Sequence, residues 1–217
     1  MIIKKFLHSC LLVESEGKRL LIDPGDFCFI ENKIKPEDLG PVDILLLTHE
    51  HSDHFFPEAI KKIIKVRQPR IITHQGLHDL LKQQGIESTV IKAGESMKIG
   101  EFSIEALRAP HGPLLYPAPE NLGFIINRKI FHPGDSLEFS LKQPIAVFAL
   151  PVEGPWLTLK EAVELAVRIK SKTVIPIHDE ITKDFMLSRV YSVSRKRLDE
   201  AGIEFKPLLL GETHAIS

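Results

Sequence analysis

The chain has only two cysteines in 217 residues, Cys10 and Cys28, and no C-x-x-C pair. That excludes a disulfide framework and a thiolate zinc knuckle, and the expectation is two buried thiols in a reducing cytoplasm. No apolar run approaches the roughly 18 residues that a membrane span needs, so no membrane partner is expected. Lys4-Lys5 lead into Phe6-Leu7 in the order of an export signal, but His8 and Ser9 break the apolar stretch and Glu14 ends it, so a native first strand is expected instead. Neither sign of charge prevails. With 28 Lys+Arg against 29 Asp+Glu the net charge is −1, and no overall field draws the chain to nucleic acid or anionic lipid. What is present, 43% hydrophobic and 26% charged residues, suits a globular protein, and the length suits one domain over residues 1–217.

Strands and helices alternate along it. Ile2-Ile3, Cys10–Val13 and Arg19–Ile22, separated by turn residues, read as an opening strand meander. Val42–Leu47 reads as a buried strand that stops at Thr48-His49, and Pro57–Val66 and Gln75–Gln84 carry apolar residues at helical spacing. Thr89–Lys92, Phe102–Leu107 and Gly123–Ile126 follow as strands. Between them Ala109–Asn121, with four prolines, can be neither helix nor central strand and is expected to be a loop. Ile145–Leu150 and Thr173–Ile177 read as strands, Thr158–Ile169 and Lys183–Ala201 as helices.

Chemistry concentrates in His49-Glu50-His51-Ser52-Asp53-His54, at the exit of a buried strand. A random H-x-H-x-D-H match is expected in about one in a thousand chains of this composition. Imidazole nitrogen and carboxylate oxygen suit Zn²⁺, and also Mn²⁺ or Fe²⁺. One tetrahedral ion does not need four such groups from a single segment, and His111, Asp135 and His178 each follow an apolar run and a turn signal. The simplest assembly is two divalent ions, one held by His49, His51 and His111, the other by Asp53, His54 and His178. Asp135 would bridge them, because a carboxylate has two oxygens to share. His74, His78 and His214 have no such company and read as surface or capping residues, and His132 as a neighbour of the Pro133 turn.

The segment Thr48-His49-Glu50-His51-Ser52-Asp53-His54 resembles the signature of the metallo-β-lactamase fold superfamily of metal-dependent hydrolases. Leu7-His8-Ser9-Cys10, Ile22-Asp23-Pro24, Pro133-Gly134-Asp135-Ser136, Leu150-Pro151 and Ile175-Pro176-Ile177-His178 resemble its small lactonase-like branch, related to ascorbate-6-phosphate lactonase. The resemblance implies an α/β fold, a four-layer αββα sandwich with the site at the upper edge between the sheets. It carries the same seven residues onto the same two ions. It makes Asp23 an acid supporting the ligands from behind and His8 a site neighbour rather than a ligand. Asp135 stands where true β-lactamases have a cysteine, which argues against antibiotic hydrolysis.

The expected activity is hydrolysis of a small ester, lactone or phosphoester by a hydroxide bridging two divalent metals, with Asp53 moving the proton to the leaving group. The loop after His111 and Glu153–Leu157 would form the pocket, with Tyr116 and Trp156 against a small-molecule substrate. Two alternatives stand beside it. A nuclease-like phosphodiesterase acting on RNA or DNA is disfavoured by the near-neutral charge, and a non-hydrolytic metal-binding or di-iron redox module would call for a further cofactor domain.

Overall fold

The chain opens as an antiparallel meander of β1 (Ile2–Lys5), β2 (Leu11–Ser15) and β3 (Lys18–Ile22), in a computed structural model that describes residues 1–216. After two 3-10 turns, Asp26–Asn32 and Pro36–Leu39, the sheet continues in parallel. Its elements there are β4 (Ile44–Leu46), α1 (Pro57–Val66), β5 (Arg70–Thr73), α2 (Gln75–Gln83) and β6 (Thr89–Val90). The second half repeats this plan. β7 (Ser96–Ile99), β8 (Phe102–Arg108), β9 (Leu122–Ile126) and β10 (Ile130–His132) pair antiparallel. β11 (Val147–Pro151), α3 (Leu159–Ile169), β12 (Thr173–Ile177), α4 (Asp184–Glu200) and β13 (Glu204–Phe205) follow, with parallel strands. β14 (Thr213–Ala215) crosses back to pair with β1. Among the described residues two seven-stranded sheets result, ordered β14-β1-β2-β3-β4-β5-β6 and β13-β12-β11-β10-β9-β8-β7.

Successive strand residues point to opposite faces, and this divides each sheet between two cores. Leu20, Ile22, Ile44 and Leu46 point inward and share a core with Ile104, Ala106, Ala149 and Ile175 of the other sheet. Leu21 and Leu45 point outward beneath Ile60 and Ile63 of α1 and Leu77 and Leu81 of α2. On the far side Phe148 and Val174 meet Ala162 and Ala166 of α3 and Val190 and Leu198 of α4. The layers are therefore helix, sheet, sheet, helix, the αββα sandwich expected above.

Local signals explain the helix boundaries. Pro57 occupies the first turn of α1, where its missing N–H is not needed. Thr158 and Glu161 cap each other's backbone at the start of α3. Among the described residues no helix is long and apolar enough to cross a membrane. Cys10 and Cys28 are both buried and unbonded.

The fold sets up the site by where strands end. Asp23 follows β3, Thr48 and His49 follow β4, His111 follows β8, Asp135 follows β10 and His178 follows β12. These ends lie together, the usual place for a site in sheets with parallel strands.

Candidate metal centre

Two groups of donors converge there. In the first, ligand-competent atoms of His49, His51, His111 and Asp135 lie within 4.8 Å of one another; in the second, those of His8, Asp53, His54 and His178 do. The structure thus brings together all seven residues expected as ligands, and sets His8, expected only as a neighbour, within donor range of the second group. Asp135 reaches both groups: Oδ1 stands 2.9 Å from His54 Nε2, while Oδ2 stands 3.4 Å from His111 Nε2 and 3.2 Å from His178 Nε2.

The ring orientations are set from behind. His54 Nδ1 donates to Asp23 Oδ2 at 2.8 Å, and His111 Nδ1 donates to the Gly112 carbonyl at 2.8 Å. His49 Nδ1 lies 3.0 Å from Thr48 Oγ1, which donates to Asp23 Oδ2 at 2.6 Å. Each contact leaves Nε2 with its lone pair aimed into the centre, the arrangement a metal-binding histidine needs. His51 Nδ1 lies 3.2 Å from both His49 Nε2 and His111 Nε2. Nitrogen donors placed tetrahedrally around zinc at roughly 2.0 Å stand about 3.3 Å apart, so the first group has the spacing of a zinc site.

The second group carries a different sign of fit. His54 Nε2, Asp135 Oδ1 and His178 Nε2 are buried without hydrogen-bond partners, although carboxylate and imidazole are close. An unsatisfied buried polar atom costs about 1–3 kcal/mol, and a shared cation would satisfy all three at once. The donor set therefore fits two divalent ions, with imidazole and carboxylate only.

Electrostatics in the ion-free protein follow from this crowding. Burial pulls the His178 imidazole down, but the Asp135 and Asp53 carboxylates beside it outweigh that and push it up to about 9. For His54 burial is likewise outweighed by Asp135 and Asp23, and its pKa is raised well above the ordinary value. Burial first, then the neighbouring His54, holds His49 well below its ordinary value, and burial leads in bringing His8 to about 4. Burial opposes ionisation of Asp135, yet His54 and His178 keep its carboxyl well below the usual range.

Backbone geometry supports the same residues. His8, Asp23 and His178 all have positive φ, at 56°, 46° and 59°. Non-glycine residues seldom adopt this region, and such strain clusters at functional sites. Gly25 has no room for a side chain, since a Cβ there would sit 1.9 Å from the Asp53 carbonyl. Gly134, at φ 58°, lies under Asn121, whose Nδ2 donates to the carbonyls of Ala109 and Pro133 at 2.6 and 2.9 Å. Asn121 thereby ties the His111 loop to the Asp135 turn. No local sequence signal marks Asn121 for this role beyond its place at the end of the proline-rich loop.

The two aromatic side chains expected against substrate differ. Tyr116 is 81% exposed at the tip of its loop. Trp156 is only 7% exposed and packs edge-on to His111 and His178, with ring centroids 5.7 and 5.9 Å away. Gly112 and Gly154 make room for it: a Cβ on either would fall 2.3 or 2.9 Å from the indole. Its ring backs the ligands and also lines, with His111 and Pro113, an open cavity of about 390 Å³.

Other residues depart from the sequence reading. His74 does cap α2, accepting from the Leu77 N–H, but it is buried and lies between Glu120 at 3.1 Å and Glu50 at 3.7 Å. His132 is wholly buried, with Nε2 3.0 Å from the Ser9 carbonyl. Directly after His178, Asp179 is buried and accepts from both Lys5 of β1 and the Tyr191 hydroxyl of α4.

The comparisons with known proteins agree with this architecture. A family model described as the beta-lactamase superfamily domain matches residues 2–178. A UPF0173 metal-dependent hydrolase of Nanoarchaeum equitans is 31% identical over 219 residues, spanning 94% of this chain and 94% of its own. Its counterpart in Thermoplasma acidophilum is 31% identical over 182 residues, spanning 79% and 80%. Among solved structures, Igni18, a metallo hydrolase from Ignicoccus hospitalis, shares the fold with a TM-score of 0.74 at 20% identity over 100% of both chains. The chain belongs to the metallo-β-lactamase superfamily.

Proposed function

We propose that this protein is a metal-dependent hydrolase of a small ester, lactone or phosphoester, working through a two-ion centre. The observation that carries the reading is Asp135, whose two carboxylate oxygens face imidazoles of both donor groups. His49, His51 and His111 would hold one ion, Asp53, His54 and His178 the other, and Asp135 would be shared. Zinc suits this nitrogen-rich set best, with manganese and iron also accepted. When bound, such ions supply Lewis acidity and make water acidic near neutral pH.

The chain's own residues do the rest. Asp53 is the more open carboxylate, its side chain 18% exposed against 3% for Asp135, so it is the one placed to take a proton from attacking water and return it to the leaving oxygen. His8 Nε2, 3.1 Å from Asp53 Oδ2, donates to that carboxylate and fixes its direction. Trp156 seats His111 and His178 and keeps water from their outer faces. Tyr116 stands at the mouth, where a small-molecule substrate would pass. The lactonase-like branch is the nearest version of this reading, and free Cys10 and Cys28 accord with a cytoplasmic setting.

The test is a panel of lactones, carboxylic esters, thioesters, phosphodiesters and RNA, offered to zinc-loaded and chelator-stripped protein. Turnover of at least one small substrate that vanishes on stripping and returns with zinc is expected. RNA binding that falls steeply with salt would favour a nuclease instead. A coloured, iron-containing protein inert toward the whole panel would favour the redox module.

A further inference from the structure

His51 is the most open imidazole of the centre. It meets an open groove of about 560 Å³ whose other walls are Pro113, Leu114, Leu115, Tyr116, Pro117 and Pro155. That size lies within the roughly 300–1,000 Å³ of small-molecule sites. No lysine, arginine, aspartate or glutamate lines it. Leu115 is 98% exposed and Tyr116 81%, two large side chains left in water at the rim. Covering them with an apolar ligand would be favourable by the hydrophobic effect. Prolines at both flanks of the tip restrict the backbone, so the wall is preformed rather than assembled on contact.

We propose that this groove receives the apolar part of the substrate: an uncharged alkyl, acyl or aryl portion of a carboxylic ester or lactone whose carbonyl reaches the donors past His51. The proposal rests on the hydrolase reading and narrows it. A phosphorylated or polyanionic substrate would meet no cationic side chain along this wall. In the reaction the acyl carbon gains the oxygen of water, its bond to the alkoxy oxygen breaks, and that oxygen takes a proton from the same water. The products are a carboxylic acid and an alcohol, joined in one molecule when the substrate is a lactone.

Zinc-loaded protein is assayed on p-nitrophenyl acetate, butyrate, hexanoate and octanoate, and on bis(p-nitrophenyl) phosphate. In parallel, binding of methyl ketones of the same chain lengths to metal-free protein is measured by calorimetry. Each added methylene is expected to raise kcat/KM and ketone affinity by roughly two- to fourfold until the chain outgrows the groove. In the Leu115→Ser/Tyr116→Ser double variant the octanoate-to-acetate ratio of kcat/KM should collapse, and the ketone series should flatten with it. Ester hydrolysis with a flat chain-length profile would overturn the proposal while leaving the hydrolase reading intact, as would a preference for the phosphodiester. If none of these substrates is cleaved, the hydrolase reading is judged by the wider panel above, and the ketone series alone decides the groove: a rising affinity supports it and a flat one overturns it. A double variant that changes only oligomeric state would reassign the loop tip to contact between copies and overturn it too.

Discussion

The Asp23 carboxylate accepts the Nδ1–H of His54 at 2.8 Å, and both side chains are wholly buried. Asp23 also accepts the Thr48 N–H at 2.9 Å on Oδ1 and the Thr48 hydroxyl at 2.6 Å on Oδ2. One acid thus fixes His54 directly and His49 through Thr48, one imidazole from each donor group.

Asp23→Asn therefore tests the centre without touching a donor. The amide has one accepting oxygen where three donors now converge, so its NH₂ must face a donor and one imidazole loses its orientation. Metal affinity is expected to fall by roughly 10- to 100-fold with the fold retained. Calorimetric zinc titration beside circular dichroism measures both, and wild-type affinity in the variant would count against this role.

Removing Asp135 strikes both groups together. Asp135→Ala should lower bound metal below the two ions per chain proposed for the wild type and reduce turnover by on the order of a thousandfold or more. His51→Ala should do the same through the first group alone. Elemental analysis is the check, and a full complement of metal in Asp135→Ala would contradict a shared ligand.

The pH dependence of stability should change sign with metal. His178 in the ion-free protein titrates at about 9, against 6.5 for an ordinary imidazole. A raised pKa contributes stability that is full below about pH 6.5 and is lost as pH climbs through about 9. His54, raised in the same way, adds to this slope. Ligation needs both rings neutral, so metal binding displaces their protons and strengthens across the same window. Thermal melts in chelator and in excess zinc should therefore diverge as pH rises, and parallel curves would refute the assignment.

Lys5, Asp179 and Tyr191 form a buried polar link between β1, the turn after β12 and α4. Lys5→Met would leave the Asp179 charge without its cation, at a cost of about 3–5 kcal/mol. Tyr191→Phe removes only a hydroxyl donor and should cost about 1–3 kcal/mol. Urea denaturation resolves the two, and a Lys5→Met variant within about 0.5 kcal/mol of wild type, the range of an ordinary surface change, would show the link to be dispensable.

Much of this arrangement is legible before folding, for identifiable reasons. Pro57 and the Ile60, Ile63 spacing define α1, and the Thr158-x-x-Glu161 box defines the start of α3, because those signals act within one turn. Edge elements are harder. β7, β13 and β14 are short and half exposed, and β5 has only four residues after Pro69, so pairing partners rather than local pattern make them strands. Within the site the hexapeptide stands out because its donors are consecutive, while His111, Asp135 and His178 share only the habit of following a strand. Lys5 reads as part of a basic N-terminus and His74 as a cap. Their burial beside Asp179 and Glu50 depends on contacts 174 and 24 residues away, which no local pattern encodes.

Trp156 is the chain's only tryptophan, and its ring lies within 6 Å of one imidazole from each donor group. The protein thus carries its own optical gauge: emission excited at the indole comes from a single point at the seam of the two half-sites. Adding metal should therefore shift that emission, with no label attached.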